Sequence, residues 1–80
     1  MFCPGDLVIS NKIVMKLLQI EHLSVFSGTG KKLDQIYGEE VFLILSIHKI
    51  DDHVKSKEYA LVLTPRTKFG WISTKNLARI

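Results

Sequence analysis

Apolar and polar positions along the chain fall into short blocks separated by turn residues. "LVIS" (residues 7–10) follows the turn signal Pro4-Gly5-Asp6 and reads as a first strand. The strongest block is Val41 to Ile50, β-branched and aromatic-rich, apolar on both faces at its start. Its polar residues Ser46 and His48 come later and share one face, which predicts a long strand, central at its start and half-exposed at its end. "DDHVKSK" (51–57) reads as a polar turn, Tyr59 to Thr64 as another strand, and "PRTKFG" (65–70) as a tight connection carrying Pro65 and Gly70. Trp71-Ile72 follow, and then "STKNL" as a short helical turn.

Residues 11–40 form a long excursion. In "IVMKLLQIEHLSVF" (13–26), Ile13, Leu17 and Ile20 have helical spacing, as do Val14 and Leu18, while the β-branched content also fits a strand. "SGTGKK" (27–32) and "YGEE" (37–40) read as a loop tip and a turn. Short strands between turn signals, without a long amphipathic helix, predict an all-β or β-dominated barrel of about five strands, with a possible short helix within 13–36. A barrel suits one 80-residue domain, because closure removes the edges that a small sheet would expose.

The composition, 46% hydrophobic and 24% charged, is that of a globular domain. The one cysteine, Cys3, cannot form an internal disulfide, which excludes a disulfide-stapled framework. "MFCPGD" lacks a signal peptide's basic and apolar regions, and Lys16, Glu21 and His22 interrupt the longest apolar stretch, so the expectation is a cytoplasmic, soluble protein. The net charge of +3 is unevenly spread: residues 1–54 hold five Lys against seven acids (−2), and residues 55–80 hold six Lys and Arg against Glu58 (+5). A basic C-terminal third can attract phosphate or an acidic partner, and lysines also discourage edge-to-edge strand pairing.

Motifs of catalysis and cofactor binding are largely missing. "GTGKK" (28–32) falls short of a phosphate-binding loop, with Val25 where the first glycine belongs and Lys32 where a Ser or Thr should hold magnesium. Cys3, His22, His48 and His53 have no metal-ligand spacing beyond the loose His48 and Asp51–His53 group, so no metal or other cofactor is expected. Nothing local would lower the pKa of the Cys3 thiol. Asp51-Asp52 and Glu39-Glu40 are adjacent pairs in turns, whose side chains diverge on an extended chain, so neither reads as an acid/base dyad.

"ALVLTPRTKFGWISTKNLARI" (60–80) resembles the second half of Src-homology-3 (SH3)-like barrels, where a strand and tight hairpin lead to a Gly-aromatic-aliphatic step, a three-ten turn and a closing strand. Here the step is Gly70-Trp71-Ile72, the turn Ser73 to Asn76, and the closing residues Leu77 and Ile80. "PGDLV" (4–8) is similar to the turn before an early strand in bacterial and phage relatives. The resemblance implies the barrel and not the family's polyproline ligand, because Ser73 and Asn76 stand where peptide-binding members present proline and tyrosine. Gly70 would serve a corner through close backbone approach or positive φ. Trp71 reads as either barrel cover or contact residue, with Phe69 on the same strand face.

The expected function is a non-enzymatic interaction module, of the kind found among phage or bacterial accessory proteins. It would bind a protein partner or its own copies, since the apolar excursion gives a motive for a homo-oligomer. The candidate surface is Tyr59, Arg66, Lys68, Phe69, Trp71 and Lys75. The alternative is nucleic-acid binding through the basic C-terminal face, where those aromatics would stack bases between lysines. No membrane and no small-molecule substrate is expected.

Overall fold

A computed structural model describes residues 2–20, 22–51 and 56–80. Its order is β1 (Leu7–Ser10), α1 (Lys12–Leu18), β2 (His22–Phe26), β3 (Lys32–Tyr37), β4 (Phe42–Asp51), β5 (Ser56–Leu63), β6 (Phe69–Ser73), a three-ten turn (Thr74–Asn76) and β7 (Leu77–Arg79). The strands form one curled antiparallel half-barrel in the order β3-β2-β6-β5-β4-β1-β7. The chain is thus mostly β, as expected, with seven strands in place of about five. The excursion supplies the extra pair as the hairpin β2–β3, after a helix shorter than the window allowed for it.

Local chemistry explains the elements. Pro4 and Gly5 occupy the centre of a turn closed by the Asp6 N–H donating to the Cys3 carbonyl at 3.1 Å, with Gly5 at φ 95°. The Asn11 side chain caps α1 by accepting from the Ile13 and Val14 N–H groups, and Gln19 ends it in the left-handed region. At seven residues α1 cannot stand alone, and Met15 anchors it in the core. Neither apolar stripe read from the sequence is the buried one: Ile13, Leu17 and Leu18 are exposed, and of those positions Ile20 alone packs against the core.

The core lies inside the curl. Val8, Val25, Ile36, Phe42, Ile44, Ala60, Val62, Ile72 and Leu77 point inward from all seven strands. Ser10 is also fully buried, and its hydroxyl has no partner among the described residues. The β5–β6 turn is closed by paired hydrogen bonds between Thr64 and Lys68 and one from the Thr67 N–H to Thr64, with Thr67 at φ 60°. "SGTGKK" joins two strands as a hairpin loop, with Gly30 at φ 87° and the Ser27 hydroxyl accepting from the Lys31 N–H. "DDHVKSK" is only partly in view: β4 runs to Asp51 and β5 begins at Ser56, and 52–55 lie outside the described residues. Leu77 closes the core, whereas Ile80 follows β7 and is 73% exposed, so it is not a closing residue. No helix among the described residues is long and apolar enough to cross a membrane.

Candidate functional site

Gly70 sets the geometry around Trp71. Its φ is not positive, so of its two expected roles the structure uses close approach. A Cβ built there would lie 2.6 Å from a Val25 methyl, 2.8 Å from the Phe26 carbonyl oxygen and 3.0 Å from a Leu33 methyl. The hairpin β2–β3 therefore folds directly over β6, and only glycine leaves room for it. Phe26 follows the buried Val25 and points out of the core by strand alternation, opposite Trp71, at a point where the β2–β3 register is irregular.

Trp71 points outward because its neighbours Gly70 and Ile72 are buried. It lines an open cavity of about 580 Å³ between the loop of the β2–β3 hairpin and the long β4–β5 ribbon. Phe26 and Gly30 form the hairpin side, His48 and Tyr59 the ribbon side, and Asn76 enters from the three-ten turn. His48 stands opposite Tyr59 in the register, and its ring meets Trp71 edge-on at 6.1 Å between centroids. The lining is mostly apolar, with serine hydroxyls, the Tyr59 phenol, the Trp71 indole N–H, one amide and one imidazole; its described residues include no carboxylate and no thiol. Such a surface can hold an apolar or aromatic segment and orient it with a few hydrogen bonds. No group of three His, Cys, Asp or Glu that could hold a metal occurs among the described residues. Asp52 and His53 of the loose cluster lie outside them.

The six candidate surface residues separate into four places. Tyr59 and Trp71 line the cavity together. Lys75 is exposed on the three-ten turn, beside the lining residue Asn76. Phe69 is 61% exposed two residues from Trp71, outside the cavity on the same outer face. Lys68 is exposed at the end of the β5–β6 turn.

Arg66 occupies that turn and clasps the hairpin. Its Nε donates to Asp34 at 3.0 and 3.2 Å, and Nη1 and Nη2 donate to Glu40 at 2.6 and 3.0 Å. Nη2 also donates to the Gln35 carbonyl. Burial pushes the Asp34 carboxyl up, but hydrogen bonds from Thr64, Arg66 and the Gln35 N–H, with the guanidinium charge, hold it below its ordinary value. The Arg66 hydrogen bond is the largest influence on Glu40 and holds it low as well. Arg66 is in turn raised by both carboxylates, Glu40 foremost. Arg79 reaches Asp6 at 3.3 Å and lies over the Phe2 ring. Among the described residues, Arg66 and Arg79 of the basic C-terminal third are thus engaged by acids from the first half of the chain, so the charge asymmetry along the sequence is smaller in space.

Phe26, His48 and Asn76 belong to the cavity without having been singled out as contacts. His48 carried a signal, as a polar residue on the outer face of β4. Phe26 carried none, because its place depends on pairing with a strand 45 residues away. The chain matches no protein-family model, and it is similar to no curated protein and no solved structure.

Proposed function

We propose that the chain is a non-enzymatic protein-interaction module built on an SH3-like barrel, and that it holds an apolar or aromatic segment of a partner in the cavity floored by Trp71. The family reading is supported by the succession of β5, a tight turn, the Gly70-Trp71-Ile72 step, a three-ten turn and the short strand β7. The extra hairpin β2–β3 occupies the long connection between the first strand and β4. The observation that carries the functional reading is the convergence of Phe26, Tyr59, Trp71 and His48 around one open cavity. Aromatic side chains around a concavity provide large contact area at low entropic cost, as at binding hot spots.

The test is selection from a displayed random-peptide library, followed by titration of the single tryptophan's fluorescence. Selected peptides should change Trp71 emission saturably, and Tyr59→Ala or His48→Ala should weaken them at least about tenfold, as expected of contact residues. Peptides that bind both variants as well as the parent protein would refute the assignment.

A second reading, nucleic-acid binding, is favoured by three exposed lysines near the cavity aromatics in the chain: Lys57 on β5 with Tyr59, and Lys68 and Lys75 in the turns on either side of β6. Titration with single- and double-stranded oligonucleotides at low salt, where phosphate contacts are strongest, separates the two. Affinity falling steeply with salt supports it, and absence of binding in about 20 mM salt removes it.

A further inference from the structure

A sheet with one face on a core and the other in water alternates apolar and polar residues. Four adjacent strands here break that rule. Leu7 pairs with Leu43, Leu43 with Leu63, and Leu63 with Phe69, making one row across β1, β4, β5 and β6. Their chain neighbours Val8, Phe42, Ile44, Val62 and Gly70 are buried, so the row points away from the core. The next outward positions, Leu45 and Leu61, are apolar as well. Leu7 is 56% and Phe69 61% exposed. The run "VFLIL" (41–45) has the composition of a strand covered on both faces, and the fold covers one.

We propose that this band is a self-association surface and that its occupant is the same band of a second copy of the chain. Two observations favour a copy. The first is charge: a two-fold contact sets each residue against its own kind or a near neighbour, and like charges there repel. The band has no charged residue at its outward positions. The rival apolar surface, the α1 face with Ile13 and Leu17, carries Lys12 and Lys16 and no acid. The second is area. Half-exposed large apolar side chains offer on the order of 100 Å² each, and the partly covered leucines less, so the band presents roughly 500 Å². That is near the ~600 Å² per partner at which specific interfaces begin, which sets a weak, concentration-dependent dimer. Packed face to face, two sheets about 10 Å apart give each the second layer that it lacks. The cavity at Trp71 adjoins the band, with Leu61 opposite Trp71, but none of the band residues lines it, so substitutions in the band test this proposal without altering the cavity lining.

Sedimentation equilibrium of the full chain from about 10 μM to about 1 mM tests the proposal. The expected result is a monomer–dimer equilibrium with a dissociation constant in the micromolar range or weaker. Phe69→Lys should raise that constant at least about 30-fold, as at a hot spot, and Leu7→Lys, at the first residue of its strand, provides a second variant should the first not fold. Ile13→Glu combined with Leu17→Glu should change it less than about twofold, because those side chains lie off the band. A chain that stays monomeric to about 1 mM overturns the proposal, and so does a dimer that survives both band variants or dissociates through the α1 substitutions.

Discussion

The outer face of the curled sheet has two ends that differ although their inner sides are alike. At the ribbon end, Ser46, His48, Tyr59 and Ser73 point outward beside Trp71. At the other end, Leu7, Leu43, Leu63 and Phe69 do. Buried positions are apolar at both ends apart from Ser10 and Thr64. The divide falls at Leu45, where the β4–β5 register slips between Ile44 and Ser46. Along β4, alternation holds from that slip to His48 and fails before it. Inward residues form the core inside the curl, and outward residues tell its surfaces apart: one end is shaped around a cavity, the other is apolar and uncharged. The ends also differ in what secures them. Packing at Gly70 holds the hairpin over the sheet beside the cavity, and the Arg66 ion network ties the β5–β6 turn to β3.

The largest effect expected is from Gly70→Ala. The added methyl would press on the Phe26 carbonyl and two side chains, lowering stability by about 1–3 kcal/mol through overpacking. Thermal unfolding should show a fall of roughly 5–20 °C for a domain of this size. The hairpin should separate from β6 first, so cavity binding should weaken before the apolar band is disturbed.

Acid should loosen the other clasp. The Asp34 and Glu40 carboxyls titrate in the folded protein below their ordinary values of 3.8 and 4.5. Their stabilising contribution is therefore complete above those ordinary values and is lost as pH falls through the lowered ones. Urea midpoints should drop below about pH 4.5, and Arg66→Met should flatten that part of the profile. An unchanged profile in the variant would show that the network does not link pH to folding.

Smaller changes sharpen the contrast at the apolar end without touching the cavity. Ser10→Ala removes a buried hydroxyl that has no partner among the described residues, so it should raise stability by up to about 1 kcal/mol. Thr67→Asn replaces a β-branched residue at positive φ with one that tolerates it, for a gain of roughly 0.5 kcal/mol. Urea denaturation resolves both, and a loss in either would contradict the local account.

The parts of this architecture that were legible in the sequence are those encoded by neighbours. Pro4-Gly5 gave the first turn, the Val41–Ile50 and Tyr59–Thr64 runs the two longest strands, and Ser73 to Asn76 the three-ten turn. The excursion resisted because its local signals conflict. Ile13 and Leu17 imitate a buried helical stripe but face solvent, and Lys32–Tyr37 has no clean alternation, with Leu33, Asp34 and Gln35 all half-buried. Long-range pairings were invisible for a different reason. The Arg66 contacts span 26 to 32 residues, and the meeting of Phe26 with Trp71 depends on how the hairpin lies over Gly70. The candidate site was half legible: Tyr59 and Trp71 do share one surface, while Phe69 and Arg66 belong to others.

The most direct test of the binding assignment is the indole N–H resonance of Trp71, followed as a library-selected peptide is added to isotope-labelled protein. The account predicts a saturable shift of that resonance, with the backbone amides of Phe26, His48 and Tyr59 moving at the same peptide concentrations. Shifts confined to the Leu7–Phe69 band or to α1, with the Trp71 resonance unmoved, would contradict it.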